Sequence, residues 1–428
     1  MPNSKFALAQ ETYAMGQFEP AIIYAKEALK ADKKNSEILN FLGSAYANLG
    51  DYDECIKYFR KALKLSRKNG EILSNLGAAY QEKGKHLAAR DYLEQAVSLE
   101  PDNPKYRSNL ALVSFQLGDQ ANFVLNFPSR RCNDDIWGSV PGVAPEFTGN
   151  ESISGKHILV FPEQGIGDEI FFLRLIPGFV NKYSVKLTVI CDKRLVHLFS
   201  RNFEDIHFVS SLDAVKSRGD IEFEMPMGDL MLYLERQPFL TKLPELTPDS
   251  SRRSAWKKRI QPLKEKGAAI GISWRGGGDR RFRKKRSLEL LNFVNALPED
   301  VQLINLQYDY DPAELQKVER QTGRRVWVWD SFDPKYDIEN LAALISNLDA
   351  VVTVDNITVH LSGALNVPTV VFLPLNPDFR WGLQGSGSDF YQSVTCIRQL
   401  RYADWSVVSH TSEVLDELLR ISASRIFN

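Results

Sequence analysis

The sequence predicts a protein of class α + α/β, with an α-helical repeat array in its first third and two α/β lobes behind it. Three observations lead to this prediction. A period of 34 residues runs through the first third of the chain, a stretch rich in Pro, Gly and Asn follows, and short apolar runs then alternate with helical patterns. The 428 residues are enough for two to four units with separate cores.

The repeats are defined by rows of identical residues spaced 34 positions apart. The rows are Leu8, Leu42, Leu76 and Leu110; Gly16, Gly50, Gly84 and Gly118; and Ala28, Ala62 and Ala96. Each of these glycines lies between two amphipathic runs, so each unit is expected to be a helix, a turn and a second helix. The small residues Gly43, Gly77 and Ala111 are expected to let paired helices approach closely. Pro101 breaks the chain before the next unit.

Behind the repeats, apolar runs separated by helical patterns predict strands. They are KHILVF, VKLTVI, IHFVS and IEFEM in one series, and AAIGISW, VQLINL, VWVW, AVVTV and TVVFLP in a second. Strands that alternate with helices indicate parallel sheets with right-handed crossovers, in which ligands bind at the carboxyl ends of the strands.

The predicted boundaries follow these changes of pattern. They are repeats at 1–125 (three complete and a partial fourth), a linker at 126–152, a first lobe at 153–245, a connector at 246–267, a second lobe at 268–400 and an amphipathic helical tail at 401–428.

The charge, apolar runs and cysteines of the chain limit the kinds of partner and location that we expect. A formal charge of -1 gives no overall attraction to nucleic acid or to an anionic membrane. We find neither a signal-peptide pattern at the start nor a long apolar run, so we expect a cytoplasmic protein with no membrane span. The cysteines have neither CxxC nor metal-ligand spacing and are expected to be small buried or idle residues; they are Cys55, Cys132, Cys191 and Cys396.

The first candidate motif is FPEQGIGDEIFFLRLIP, at 161–177. A buried strand ends at Phe161, Gly165 and Gly167 permit a tight turn, and Asp168 and Glu169 occupy the first turn of the next helix. Glycines let a ligand approach the backbone, and a helix N-terminus favours anions. In the alternative interpretation, Asp168 only caps its helix, a role worth about 1 kcal/mol.

The second motif is LDAVVTVDNITVHLSGALNVPTVVFLP, at 348–374. A strand ends near Val354, Asp355 and Asn356 can cap the following helix, and Thr358 and His360 lie in its first turns. Backbone donors and a Thr hydroxyl at such a junction suit a diphosphate. The alternative for His360 alone is a core histidine bonded to a neighbouring carbonyl.

Two further motifs follow strands. SWRGGGDRRFRKKRSLELL, at 273–291, has seven basic residues and one acidic residue between Arg275 and Arg286. It is interpreted as a loop that closes over a phosphate, as a solvated loop or as a nucleic-acid contact. LNPDFRWGLQGSGSDFYQSVTCIRQ, at 375–399, contains Asp378, Arg380, Trp381 and Tyr391 and suits a wall for a base or sugar, or an irregular packed loop.

The order of these motifs carries a resemblance. The sequence resembles bacterial proteins that join tetratricopeptide repeats to a heptosyltransferase-like module of the glycosyltransferase-B fold, with two Rossmann-like lobes. The motifs that carry the resemblance are, in order, QGIGDE, SWRGG with RSL, VDNITVHLSGAL with NVPTVVFLP, NPDFRW and ADW. The resemblance extends from about Leu8 to Trp405. NIT stands here where those relatives have a Gly-containing turn, and the loop after SW is richer in arginine.

The resemblance implies a nucleotide-sugar-dependent glycosyltransferase. Asp168 matches the proposed base of that family, and the segment that holds the donor phosphate matches Asp355, Asn356, Ile357, Thr358 and His360. We assign the nucleotide sugar also to Gly165, Gly167, Ser273, Arg275, Arg286, Gln307 and Arg380. No DxD pair follows a strand, so side-chain cations are expected to replace a metal ion, and no cofactor is expected besides the nucleotide sugar as co-substrate.

The repeats bear on the acceptor. An enzyme that modifies a protein gains effective concentration by docking its target, so the preferred acceptor is a Ser or Thr of a protein held on the concave face of the array, such as flagellin. This choice rests on the family resemblance. The alternatives are a lipopolysaccharide-type glycan transferase and a catalytically silent scaffold that retains only the fold. Nucleic acid is not expected as a partner.

Overall fold

The computed structural model describes residues 2–132, 141–149, 151–233, 244–277, 283, 285–402 and 404–426. The chain divides into two compact units. Among the described residues, the first unit comprises 2–132 and 375–384, and the second unit comprises the rest. In the described part of the chain, no helix is both long enough and apolar enough to cross a bilayer.

The first unit is an array of antiparallel helix pairs. Within residues 2–132 the helices are α1 Pro2–Ala14, α2 Phe18–Ala31, α3 Ser36–Leu49, α4 Tyr52–Leu65, α5 Gly70–Glu82, α6 His86–Leu99, α7 Pro104–Gln116 and α8 Gln120–Asn126, followed by a 3-10 helix Phe127–Cys132. The fourth pair is incomplete because α8 has only seven residues. The four in-register glycines after the first helices all have φ between 70° and 81°, the left-handed conformation that glycine adopts without strain.

The paired helices approach as closely as their glycines allow. A Cβ atom on Gly43 of α3 would lie 2.4 Å from the Phe59 ring of α4, and one on Gly77 of α5 would lie 2.6 Å from Leu93 of α6. The sequence prediction for these two glycines is therefore confirmed. Ala111 of α7 is fully buried.

Replacing Gly43 with Ala is expected to destabilise the array by about 1–3 kcal/mol, because the rigid Phe59 ring must move to admit the methyl group. Without that clash, Gly to Ala inside a helix stabilises by about 1 kcal/mol, so the sign of the change is diagnostic. The measurement is a thermal melt followed by circular dichroism. The control is Ser98→Ala at an exposed position of α6, and equal melting points for both variants would contradict the prediction.

The segment 375–384 packs with the repeats, although the sequence assigned it to the second lobe. The side chain of Gln116 donates to the carbonyl of Pro377 at 2.9 Å, and His86 Nε2 lies 3.2 Å from Asn376 Oδ1. The ring of Phe379 packs edge-on against Phe115, with centroids 5.3 Å apart. These buried contacts make the segment part of the first unit, so the chain crosses between the units on either side of it.

The first lobe of the second unit is a parallel sheet of strand order β3-β2-β1-β4 in the described residues. Its elements are β1 His157–Phe161, α9 Ile166–Leu173, α10 Ile176–Tyr183, β2 Lys186–Ile190, α11 Val196–Asn202, β3 His207–Val209, α12 Asp213–Lys216, β4 Phe223–Pro226, a 3-10 helix Met227–Asp229 and α13 Leu230–Tyr233.

Part of the predicted linker lies along this sheet. The buried carboxylate of Glu224, on β4, accepts hydrogen bonds from the backbone N–H groups of Gly142 at 2.9 Å, Val143 at 2.8 Å and Ala144 at 3.2 Å. The Phe147 N–H donates to the Glu224 carbonyl at 2.8 Å. Residues 141–149 thus cover the β4 edge; residues 133–140 and 150 of the predicted linker lie outside the described residues.

The second lobe is a larger parallel sheet. Among the described residues its elements are α14 Ser250–Lys264, β5 Ala269–Ser273, α15 Leu290–Asn295, β6 Gln302–Asn305, α16 Pro312–Thr322, β7 Val326–Trp327, α17 Ile338–Ile345, β8 Ala350–Val354, α18 Ile357–Ala364, β9 Thr369–Leu373, β10 Val394–Arg398, a 3-10 helix Ser406–His410 and α19 Thr411–Ile426. A further 3-10 helix, Phe379–Trp381, lies in the segment that belongs to the first unit.

The strand order of this sheet determines where a ligand would bind. The described strands run β10-β9-β8-β5-β6-β7 and are all parallel, which is the doubly wound order. The order reverses between β5 and β8, and in doubly wound sheets ligands generally bind outside the carboxyl ends of the strands at such a reversal. Leu415 of α19 is buried in the core of this lobe, so the tail packs on this sheet.

Two elements were not predicted. Helix α14 occupies most of the predicted connector, and its buried residues Trp256, Ile260 and Leu263 form an apolar stripe. Strand β10 extends the sheet beside β9, in a stretch that the sequence left as a wall or irregular loop.

Candidate active site

At the carboxyl end of β5, one amide side chain organises the backbone. The Oε1 atom of buried Gln307 accepts hydrogen bonds from Ser273 Oγ at 3.0 Å, Trp274 N at 3.1 Å and Arg275 N at 2.8 Å. Gln307 itself follows β6, and its Nε2 donates to the Tyr308 carbonyl at 2.8 Å. Gln307 therefore fixes the path of the chain as it leaves β5, on the side of the strand reversal.

Asn356 joins the ends of β5 and β8. Its Nδ2 donates to Ser273 Oγ at 2.7 Å and to the Arg275 carbonyl at 3.1 Å. Its Oδ1 accepts from Thr358 N at 2.8 Å, so Asn356 is the N-cap that the sequence predicted for α18. Ser273, Gln307 and Asn356 thus form one buried hydrogen-bonded group at the strand reversal.

The cationic side chains near this group have carboxylate partners. Arg286 NH1 lies 3.3 Å from Oδ2 of buried Asp355, and Arg286 NH2 donates to the Gly277 carbonyl at 2.9 Å. Arg275 NH2 lies 2.6 Å from Glu314 Oε2. Asp355 therefore holds Arg286 beside the start of α18. The rest of the predicted basic loop, 278–282 and 284, lies outside the described residues.

In the first lobe, Asp168 supports the start of its own helix. Its Oδ2 accepts from the N–H of Gly165, the N-cap of α9, at 3.1 Å. This is the helix-capping role that the sequence left open. The side chain of Asp168 is only half-buried, in contrast to that of its neighbour Glu169.

The two main motifs meet at Gly167. A Cβ atom placed on Gly167 would lie 3.0 Å from His360 Cδ2 and 3.7 Å from Ile357 Cα. The glycine turn before α9 therefore contacts the first turns of α18, and only a residue without a side chain fits without displacing the imidazole. Gly167, Asp168, Ile357, Thr358 and His360 are thereby brought to one region, within a single compact unit.

His360 is held by a tyrosine. Its Nδ1 lies 2.9 Å from the hydroxyl of Tyr391, and both side chains are buried. The Tyr391 ring packs on Gly363 of α18, where a Cβ atom would approach it to 2.5 Å, and the guanidinium of Arg174 lies 4.9 Å from the ring centroid. His360 is thus a buried histidine, as in the alternative interpretation, and one of its ring nitrogens contacts the hydroxyl of Tyr391.

Glu169 is an acid of the first lobe whose pKa is raised well above its ordinary value. It is buried at the start of α9 and accepts from Asp192 N, after β2, at 2.7 Å. Burial raises the pKa of Glu169 to about 7, and the charges of Asp192 and Asp168 act in the same direction. The carboxyl group therefore exchanges its proton near neutral pH, one residue from the predicted base.

The raised pKa of Glu169 makes stability depend on pH. Between its ordinary pKa and about 7, the folded protein keeps a proton that the unfolded chain releases, so this residue's contribution to stability falls as pH rises across that interval. Glu169→Gln removes the ionisation and keeps an oxygen for Asp192 N. We expect the free energy of unfolding of the variant to exceed that of the parent by up to about 3 kcal/mol above about pH 8. At about pH 4.5 the two free energies should differ little.

Urea unfolding of the second unit at several pH values measures this difference. The control is Glu265→Gln at an exposed position, for which the difference from the parent should not vary with pH. A pH-independent effect of Glu169→Gln would show that Glu169 titrates normally.

The remaining predicted residue lies in the other unit. Arg380 is in the 3-10 helix Phe379–Trp381, where its Nε lies 2.9 Å from Asp378 Oδ1, and it is grouped with the repeats. Its assignment to the nucleotide sugar stays a prediction. Within the described residues, no three His, Cys, Asp or Glu side chains are grouped so that they could hold a metal ion.

Sequence reasoning missed three contributions to this site. Arg174 lies in the first motif but was given no role, Tyr391 was assigned only to a possible wall, and Glu169 was noted beside Asp168 without a role of its own. The presence of Glu169 in the first turn was a visible signal, but its burial against the end of β2 depends on the packing of two distant segments.

Comparison with known proteins supports the helical repeat array. Residues 36–102 match the tetratricopeptide repeat family model. The helical array is therefore a stack of tetratricopeptide repeats. Protein FlbA of Caulobacter vibrioides is 25% identical over 284 residues, which cover 62% of this chain and 46% of that protein. The chain therefore spans about half the length of this curated relative.

Two solved structures are also similar. The crystal structure of MamA protein has 24% identity and a TM-score of 0.29, and the match covers 32% of this chain and 74% of that one. The first tetratricopeptide repeat domain of Spaghetti (RPAP3), bound to the HSP90 peptide SRMEEVD, has 23% identity and a TM-score of 0.27, and the match covers 27% of this chain and 93% of that one.

Proposed function

We propose that this protein is a glycosyltransferase that moves a sugar from a nucleotide-sugar donor to a hydroxyl group of a protein acceptor. The observation that carries the proposal is the contact of Gly167 with Ile357 and His360. Asp168, the candidate base, follows Gly167 in the chain, so this contact supports a shared site with the helix start that suits a diphosphate. Rossmann-like lobes bind ligands at this end of their sheets, which supports the proposal further.

In the proposed reaction, the acceptor oxygen attacks the anomeric carbon while the bond from that carbon to the diphosphate oxygen breaks. Asp168 accepts the proton of the attacking hydroxyl. The nucleoside diphosphate leaves with the bonding electrons, and its charge is stabilised by Arg286 and by the N-terminal end of α18. Asn356 and Gln307 are positioning residues in this scheme, because they hold the backbone of Arg275 and Thr358 in place.

The repeats support a protein acceptor. Their first helices carry a row of linked polar side chains: Asn75 Nδ2 donates to Asn40 Oδ1 at 3.2 Å, and Asn109 Nδ2 donates to Ser74 Oγ at 3.2 Å. Amide side chains both donate and accept, which suits an extended peptide backbone. On the family resemblance, the acceptor is a Ser or Thr of a flagellar or secreted protein, which the repeats would hold at high effective concentration.

A second candidate is a silent scaffold that keeps the transferase fold without activity. The observation that favours it is the pairing of both expected phosphate ligands with carboxylates, Arg275 with Glu314 and Arg286 with Asp355. An arginine neutralised in this way attracts a phosphate less strongly than a free one. The two candidates differ in whether a nucleotide binds.

A thermal-shift panel of UDP, GDP, ADP, CMP and their common sugar conjugates tests the proposal. One nucleotide class is expected to raise the melting temperature, because it binds only the folded state; at about 100 times its Kd it contributes about 2.7 kcal/mol. The panel is run with a chelator present, since side chains are proposed to replace the metal. A shift that requires Mg²⁺ or Mn²⁺ would contradict metal independence, and no shift with any nucleotide, with or without those ions, would favour the scaffold.

A further inference from the structure

A lysine-lined groove lies on the repeat array, on the second helices of the first two pairs. A groove of about 500 Å³ runs between α2 and α4. Lysines surround it: Lys26, Lys30, Lys33, Lys61 and Lys64. Its apolar lining is formed by Leu29, Leu39 and Leu65. No acidic side chain lines the groove, which lies wholly within the described residues 2–132.

The charge of this surface is a property of these two repeats and not of the repeat pattern. Residues 57–68 contain six cationic and no acidic side chains, whereas the equivalent residues 91–102 of the third pair contain four acidic and no cationic ones. The position held by Lys26 in the first pair is Arg60 in the second and Glu94 in the third. A solvated helix face does not require this reversal from one repeat to the next.

The apolar part of the groove is accessible. Leu65 is 45% exposed although it ends α4, and Leu29 is half-buried at the groove. The exposed lysines keep their ammonium groups in water while their methylene chains extend the apolar floor. An occupant that fits both features has apolar side chains for the leucines and carboxylates for the lysines.

We propose that the α2–α4 groove binds an acidic, leucine-containing segment of a partner protein. Charge complementarity selects the partner: carboxylates of the segment pair with Lys30, Lys33 and Lys64, and one of its apolar side chains packs against Leu29 and Leu65. A nucleic-acid duplex presents its phosphates outward and stacks its base faces inside, so it offers little apolar surface to the leucine floor, and a flat membrane surface does not enter a groove. The inference concerns the repeats alone and is independent of the proposed glycosyl transfer.

The test uses the full-length protein and fluorescence anisotropy with a short synthetic peptide of glutamates and regularly spaced leucines. We expect saturable binding that weakens with added salt. Lys30→Glu combined with Lys64→Glu is expected to raise Kd about tenfold or more, because two attractions become repulsions. The matched control, Lys257→Glu with Lys258→Glu on exposed positions of α14, makes the same change in net charge and should alter Kd less than about twofold.

Two further experiments distinguish binding in the groove from nonspecific attraction to positive charge. Leu65→Ser, and a peptide in which alanine replaces leucine, should each weaken binding while leaving the melting temperature of the protein nearly unchanged, because Leu65 is exposed. The proposal is overturned if both lysine pairs have the same effect, if the alanine peptide binds equally well, or if the glutamate-leucine peptide does not bind. Stronger binding of duplex DNA or phosphatidylserine vesicles in competition with the peptide would also overturn it.

Discussion

Asp168→Asn is expected to reduce sugar transfer about 10²- to 10⁴-fold, the usual contribution of a positioned general base. An amide has the size of the carboxylate but cannot take the proton of the attacking hydroxyl group at neutral pH. Its oxygen can still accept the Gly165 N–H, so α9 should begin at the same residue as in the parent protein. Nucleoside diphosphate affinity should change little, because the groups proposed to hold the diphosphate, Arg286 and the start of α18, belong to the second lobe.

Turnover is measured with the donor identified by the thermal-shift panel, and nucleotide affinity by titration. Asp249→Asn is the matched control: Asp249 is also an acid at a helix start and accepts from Arg252 N at 2.9 Å, but it belongs to α14 and to no part of the candidate site. An equal loss of sugar-transfer activity in both variants would indicate a structural effect. Full activity of Asp168→Asn would remove Asp168 as the base and turn attention to Glu169.

Asn356→Ala is expected to have the largest effect on stability, about 2–4 kcal/mol, and to abolish nucleotide binding. The substitution leaves Ser273 Oγ, the Arg275 carbonyl and Thr358 N without the partner that each has now. Buried polar groups that lose their partners cost about 1–3 kcal/mol each, although some of this cost is recovered by rearrangement. The start of α18 and the end of β5 would also lose their common anchor.

Urea unfolding gives the stability change, and the nucleotide panel gives the binding change. Asn292→Ala is the control, because its side chain donates only to Glu289 at 2.8 Å at an exposed position and should alter stability by less than about 0.5 kcal/mol. If Asn356→Ala is too unstable to assay, Ser273→Ala removes one hydroxyl of the same group and should give a smaller loss in the same direction. Parent-like binding in both variants would show that this group does not shape a nucleotide site.

Patterns within short stretches of sequence were sufficient for most of the architecture. The turn glycines and helical periodicity predicted the repeats because the contacts that define a helix pair lie within one 34-residue unit. The apolar runs predicted the strands up to β9. Strand β10 was missed because VTCIR is short and partly polar, and pairing with β9 is what makes it a strand. Helix α14 was missed although Trp256, Ile260 and Leu263 carry a helical signal among many charges.

For the candidate site, too, some features follow from local sequence and others only from the tertiary structure. Sequence alone selected Asp168, Asn356, Thr358 and His360 as candidates, because a strand end followed by a cap and a helix start is a local pattern. Only the tertiary structure placed Gly167 against His360, joined Asn356 to Ser273, and moved segment 375–384 from its predicted lobe to the repeats. It also decided that Glu169, rather than Asp168, is the buried acid with a pKa of about 7. Such features depend on burial and on hydrogen bonds between residues that are far apart in the chain, which no local pattern encodes.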